Sequence, residues 1–353
     1  MLRCPVDLWL ALLCVAPCAL ADDASLHESA GNLMFVQTHE IAMQRERLVI
    51  GPPLHGKDGD WTIPIHAEYD LANTSGKPVQ AHIGFPLPAC SLSDYLVGKH
   101  SNFVTGWAPT CVKEPKMTLG VDGAPVAGRW GFIFERDGKP LGAAAGDENL
   151  SRRMAALIGR IVDPEKRFYK EDPVFLKWAK ELCGQLGGQV KEADCTAFKR
   201  ITVHRTFLWE HSFAAGSKAH VSHDYAVAAS ANAPVAGAFP YDAFCLQDPS
   251  IRAAWKAYQE DLQRQEAASR RGDPDANIFL REFFTEYVLR TGALWAAPID
   301  DFELIIRKTA PDQMVSTCFT GLAKTSPVEF RAHRTNFRPA EDLRVLYLPA
   351  QGK

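Results

Sequence analysis

The most regular stretch of the chain runs from Trp61 to Leu71. Trp61, Ile63, Ile65, Ala67, Tyr69 and Leu71 alternate there with Thr62, Pro64, His66, Glu68 and Asp70. A period of two sends successive side chains to opposite faces of a strand, so this segment predicts a strand with one face in a core and the other in water. Asn73-Thr74-Ser75-Gly76 follow as a turn, and Val79, Ala81, Ile83 and Phe85 resume the alternation, which predicts an antiparallel hairpin. Residues 117–121 and 130–134, on either side of Asp122-Gly123, predict another.

Between about 147 and 187 the period lengthens. Leu150, Met154, Leu157, Ile158 and Ile161 recur at helical spacing, and Asp172-Pro173 opens a second helix that turns Phe175, Trp178, Leu182 and Leu186 inward. Asp248-Pro249 repeats that device ahead of Ile251, Trp255, Tyr258 and Leu262, with Gly272 as the stop. After Arg200 short β patterns return at 202–213, 219–228, 283–290, 302–307, 315–319, 328–337 and 344–348. The expectation is a mainly β protein with helical insertions, built as two β-sandwich domains with helices packed between or beside them. Its parts would be an N-terminal sandwich over 22–146, a helical segment over 147–198, and a C-terminal sandwich over 199–353 with one helix inserted at 248–271.

Arg3, an apolar run over 8–16, and Ala19-Leu20-Ala21 ahead of Asp22-Asp23 have the layout of a secretory signal peptide, with cleavage after Ala21. A lipoprotein signal is disfavoured because Leu13 and Pro17 precede Cys14 and Cys18 where a small residue is required. The mature chain is therefore expected in the periplasm or secreted. No later segment offers about 20 consecutive apolar residues, so no transmembrane segment is expected. A net charge of -3 gives no reason to expect a nucleic-acid partner.

Of the nine cysteines, Cys90, Cys111, Cys183, Cys195, Cys245 and Cys318 lie beyond the signal. An even number in an exported chain reads as disulfides. Neighbourhood in sequence suggests Cys90 with Cys111 and Cys183 with Cys195, leaving Cys245 with Cys318. Each closure would contribute on the order of 3 to 4 kcal/mol in the chain-entropy model. Zinc ligation by these thiolates lacks any C-x-x-C pair. Asn73-Thr74-Ser75 and Asn149-Leu150-Ser151 match the glycosylation sequon by pattern, but the signal peptide looks bacterial.

Candidate chemistry concentrates in WEHSFAAGSKAHVSHDY, which holds His211, His220, His223 and Asp224. Imidazole with carboxylate is common material for acid-base or metal sites. If 202–213 and 219–228 pair as a hairpin, keeping Phe207, Trp209, Phe213, Val221 and Tyr225 on one face sets Phe213 opposite Ala219 and Trp209 opposite His223. His211 and His223 would then be diagonal neighbours about 7 to 8 Å apart on the core side, with His220 and Asp224 facing the other way. The catalytic candidates are thus His211, His223 and Asp224. No metal site and no cofactor are expected.

Gly51 to Asp58 has the spacing of a phosphate-binding loop, but Asp58 replaces the Ser or Thr, two prolines remove donors and a strand follows. Asp300-Asp301 read as a solvated turn ahead of a strand. The leading functional expectation is a non-catalytic binding or assembly protein of the cell envelope, whose partner is an envelope protein or a glycan. The alternatives are a metal- or histidine-dependent hydrolase around His211 and His223, and a glycan-binding module using Trp107, Trp130 or Trp209.

Several short segments carry a family likeness. Gly31-Asn32-Leu33, Glu40-Ile41-Ala42-Met43, Glu46-Arg47-Leu48 and Phe85-Pro86-Leu87-Pro88 come first, followed by Trp209, Phe213 and Phe244-Cys245-Leu246. Asp301-Phe302, Ala310-Pro311-Asp312, Val315-Ser316, Cys318 and Phe337 continue the series. In this order and spacing the chain resembles the bacterial domain-of-unknown-function family 4424, whose members are expected to be exported. The resemblance implies no catalytic residues, supports pairing Cys245 with Cys318, and puts other residues where this chain has His211 and His220. The first third is also similar to the vault and inter-alpha-trypsin-inhibitor type domain, a β-sandwich of extracellular and scaffold proteins, which implies an interaction role.

Overall fold

A computed structural model describes residues 24–29, 32–35, 37–56, 61–92, 115–137, 139–140, 177, 180–181, 183–184, 200–232, 241–272 and 282–348. In chain order the first strands are β1 (Ala24–Ser29), β2 (Asn32–Phe35), β3 (Ile41–Ile50), β4 (Leu54–His55), β5 (Trp61–Asn73), β6 (Val79–Pro86) and β7 (Cys90–Ser91). There follow β8 (Met117–Val121), β9 (Ala124–Pro125), β10 (Arg129–Arg136), β11 (Lys139–Pro140), β12 (Ile201–Phe213), β13 (Lys218–Ala228) and β14 (Ser230–Asn232). A 3-10 turn at Tyr241–Phe244 and the helix α1 (Pro249–Arg270) come next. The chain closes with β15 (Glu282–Tyr287), β16 (Ile299–Arg307), β17 (Met314–Ser316), β18 (Ala323–Ser326), β19 (Glu329–Phe337) and β20 (Leu343–Leu348).

These strands form three sheets. A seven-stranded sheet runs β11-β10-β12-β6-β1-β2, with β7 also on β12; a nine-stranded sheet runs β18-β19-β16-β3-β5-β13-β8-β9, with β4 on β5. The third sheet is β14-β15-β20-β17. The protein is thus mainly β, as its alternation predicts, and residues buried from all three sheets join one apolar cluster. Phe85 and Trp209 come to it from the seven-stranded sheet, Tyr69 and Leu304 from the nine-stranded one, and Tyr287 and Tyr347 from the four-stranded one. Burying an aromatic ring of this size contributes about 2 to 3 kcal/mol, so a shared cluster ties the sheets together strongly.

The pairing differs from three expected hairpins in the same way. β5 lies in the nine-stranded sheet and β6 in the seven-stranded one; β12 and β13 separate likewise, so Trp209 sits opposite Ile83 and His223 opposite Ala67. The Asp122-Gly123 turn, with both residues at positive φ, closes β8 onto β9 rather than onto β10. In each case the connection arches from one sheet to the other. An apolar face points inward whether the next strand lies beside it or across the core from it, so alternation alone does not distinguish the two.

One consequence is that the expected division at about 147–198 does not describe the pairing. β12 from the later stretch lies between β10 and β6, and β16 pairs in parallel with β3. The expected helix at 248–271 is present as α1, whose Trp255 and Tyr258 pack with Phe244, Leu246, Phe284, Leu346 and Leu348 on the outer side of the four-stranded sheet. Among the described residues no helix is long and apolar enough to cross a membrane. In the expected 147–198 helical segment, residues 177, 180, 181, 183 and 184 are helical, and the first of its two helices lies outside the described residues.

Cys245 and Cys318 form a disulfide. Cys183 is buried and disulfide-bonded, while Cys111 and Cys195 lie outside the described residues, as does the expected signal segment.

Candidate functional site

The predicted histidine cluster is divided between sheets. His223, on β13 of the nine-stranded sheet, is fully buried; its ring stacks on Phe85 at 4.7 Å and meets Tyr69 edge-on at 5.6 Å. His211, on β12 of the seven-stranded sheet, packs edge-on against Phe213 at 4.6 Å. Asp224 faces away from the core and is paired with Nδ1 of His66 at 2.7 Å. His220 lies on that same outer face, with Nδ1 2.7 Å from Asp70 Oδ1. The diagonal pair that a β12–β13 hairpin would bring together is therefore not assembled, because the connection is an arch.

Other sequence candidates also resolve. Trp209 is buried in the core and Trp130 leans on Phe207, while Trp107 lies outside the described residues. Gly51 is required by packing, since a Cβ there would sit 2.5 Å from Pro64 Cγ, and its carbonyl accepts the Tyr347 hydroxyl at 2.8 Å. Among the described residues no group of three or more His, Cys, Asp or Glu is placed to hold a metal ion.

What the fold does assemble is a charged surface on the outer face of the nine-stranded sheet. Its origin is a bulge in β3. Met43 pairs with Leu71 and Arg45 with Asp70, so Gln44 is an extra residue in the ladder. Before it Ile41 and Met43 face the core; after it Glu46, Leu48 and Ile50 do. The phase shift carries Arg45 and Arg47 to the outside.

There the sign of charge alternates strand by strand. β19 presents Arg331 and His333, β16 presents Asp301 and Glu303, β3 presents Arg45 and Arg47, and β5 presents Glu68 and Asp70. Arg47 lies at the centre, donating from Nε to Glu303 Oε2 at 3.0 Å and from Nη1 to Glu68 Oε2 at 3.4 Å. Arg331 Nη1 holds the other oxygen of Glu303 at 3.0 Å, and His66 Nε2 lies 3.2 Å from Glu68 Oε1. Burial pushes the Glu68 carboxyl up, but the hydrogen bonds and charges of His66 and Arg47 outweigh it and hold the group below the usual carboxylate range.

Arg45 is more loosely held, 3.5 Å from Asp70 and 3.9 Å from Glu68, and His333 Nε2 meets Asp301 at 2.6 Å. Asp301 thus belongs to strand β16, not to a solvated turn. Arg45, Arg47, Glu68, Asp301, Glu303 and His333 line an open groove of about 500 Å³. Isolated exposed ion pairs are worth about 0 to 1 kcal/mol, so this network orders side chains more than it stabilises the fold. It presents donors and acceptors at fixed positions, which suits recognition of a polar partner.

Beneath the groove Glu46 points inward. The Tyr287 hydroxyl donates to Glu46 Oε1 at 3.3 Å and shares a 2.7 Å hydrogen bond with the Tyr69 hydroxyl, joining the nine-stranded sheet to the four-stranded one. The spacing Arg45-x-Arg47, His66-x-Glu68-x-Asp70, Asp301-x-Glu303 and Arg331-x-His333 marks each outer face in the sequence. Nothing local marks β3 and β16 as neighbours.

Comparison with known proteins adds context. A candidate nutrient binding protein of Legionella pneumophila is similar at 11% identity and a TM-score of 0.45, over 94% of this chain and 70% of that one. An M1 zinc metallopeptidase of Deinococcus radiodurans is similar at 8% identity and a TM-score of 0.30, over 91% of this chain and 46% of that one. No curated protein matches. The model of the domain of unknown function DUF4424 matches residues 21–346, and the chain belongs to that family.

Proposed function

We propose that the protein works outside the cytoplasm, in the periplasm or secreted, as a non-catalytic binding or assembly protein of the cell envelope, and that it binds through the outer face of the nine-stranded sheet. The observation that carries this reading is the charged groove around Arg47, built by a β-bulge and held by ion pairs on both sides. Export is supported by the charged, apolar and small-residue order of residues 1–21, by the Cys245–Cys318 disulfide, and by a family match that begins at residue 21. We read the apposed seven- and nine-stranded sheets as a β-sandwich, in keeping with the likeness of the first third to a sandwich domain of extracellular and scaffold proteins.

The test is retention of envelope components on immobilised wild-type protein and on an Arg45→Gln/Arg47→Gln variant, which removes both guanidinium groups without setting carboxylates against Glu68, Asp70 and Glu303. A component held by the wild type at 50 mM salt should be lost from the variant, a drop of tenfold or more, since the positive charges that would pair with it are gone. Equal retention on both proteins, or no specific retention on either, overturns the proposal.

A further inference from the structure

A second polar cluster lies on the far side of the molecule, where α1 covers the four-stranded sheet. Glu282, the first residue of β15, is fully buried. Tyr258 from α1 donates its hydroxyl to Glu282 Oε1 at 2.9 Å, and Tyr241 from the preceding 3-10 turn donates to Oε1 at 2.9 Å and lies 3.1 Å from Oε2. Trp255 packs on both tyrosines, its ring 4.7 Å from that of Tyr241 and 5.5 Å from that of Tyr258. The turn is tied down independently, because Cys245 is bonded to Cys318 four residues before α1 begins.

From this arrangement we propose that α1 is a pH-responsive latch, closed over the four-stranded sheet in acid and loosened toward neutral and alkaline pH, with the Glu282 carboxyl as its sensor. The geometry makes the carboxyl part of the contact: α1 cannot lift without breaking the Tyr258 bond and admitting water to Glu282. The disulfide leaves the turn anchored, so the motion is confined to the helix and its apolar contacts with Phe284, Leu346 and Leu348.

The direction follows from linkage. Burial raises the Glu282 carboxyl to about 7, against the opposing effect of the Tyr258 and Tyr241 hydrogen bonds. Burial first, and then the charge and hydrogen bond of Glu282, raise the Tyr258 hydroxyl, with a smaller push from Asp261, further along α1 and paired with Arg264; β14 sets Asn232 opposite Glu282. With α1 lifted, water reaches the carboxyl and relieves the burial that raises it, so it falls back toward its ordinary value of 4.5. Below pH 4.5 it is protonated in both states and the latch is at full strength. Between 4.5 and about 7 the open state loses a proton that the closed state keeps, so each pH unit weakens closure about tenfold, roughly 300-fold over the window. Above that window nothing further is lost.

Amide hydrogen exchange of the full mature chain at pH 5 and pH 8, corrected for the intrinsic pH dependence of exchange, reads this directly. Protection of α1 should fall by about 100-fold between the two while β16 changes far less, and Glu282→Gln should remove the difference. Equal protection of α1 at both pH values, or a difference that survives in Glu282→Gln, overturns the latch. Tyr258→Phe gives a second reading should Glu282→Gln fold poorly. It removes a bond that favours the ionised carboxylate, so the pH at which protection stops falling should move upward; an unmoved value overturns the proposal.

Discussion

Asn73 joins two chain connections through one side chain. Its Nδ2 donates to Lys77 O at 2.8 Å and to Ala214 O at 2.9 Å, while Oδ1 accepts from the Ser75 backbone N–H at 2.9 Å and from the Ser75 hydroxyl at 2.7 Å. The Asn73 N–H donates to Ser217 O as well, so the β5–β6 and β12–β13 arches are bound to each other at one end of the sheets. Asn73→Ala takes the partner from groups on half-buried Ser75 and exposed Lys77 and Ala214, which water reaches in its place, so each hydrogen bond lost costs about 0.5 to 1.5 kcal/mol. Urea titration should place the variant about 1 to 3 kcal/mol below wild type; a loss under about 0.5 kcal/mol would show that the arches hold without it. The buried amide also explains why Asn73-Thr74-Ser75 matches a sequon yet offers no free acceptor nitrogen in the folded chain.

At the scale of the element, the β3 bulge decides the sidedness of the binding face. Gln44 is the added residue, so deleting it leaves Met43 opposite Leu71 and Arg45 opposite Asp70 in an unbroken ladder, and every side chain keeps its face. With Gln44 kept, a ladder without the bulge would instead turn Arg45 and Arg47 toward the core in place of Glu46 and Leu48. Deletion of Gln44 should therefore leave a sharp thermal transition in circular dichroism, as should Gln44→Ala. Loss of the transition in the deletion variant would mean that the fold needs the bulge itself and not only the phase it sets.

Across the whole molecule, one apolar cluster draws on all three sheets, and the strands before and after residues 147–198 are interleaved in the two larger ones. Separate cores would unfold separately, but a shared one couples every element that contributes to it. Urea unfolding followed by tryptophan fluorescence and by far-ultraviolet circular dichroism should give coincident transitions at constant pH. Two resolved midpoints would count against a single cooperative core. α1 is the exception in degree, since its cluster with Phe244, Phe284 and Leu346 lies outside the shared one and is positioned to open locally.

The alternation in residues 61–71 was enough to assign Tyr69 to the core and His66, Glu68 and Asp70 to the outside, because the inward or outward direction of a side chain is a local property of the strand. The Asp-Pro device likewise located α1 at 249–270, since capping and a fixed proline φ act within a single turn. Neighbourhood between strands is a different quantity. Arg47 meets Glu303 across 256 positions of sequence, and His223 meets Phe85 instead of His211, because arches send consecutive strands to opposite sheets. In the regular strands the sequence determined which face each residue takes, while in β3 the bulge at Gln44 reset the phase. The choice of which faces meet was left to the tertiary structure, where closing one core around three sheets selects the partners that no local pattern encodes.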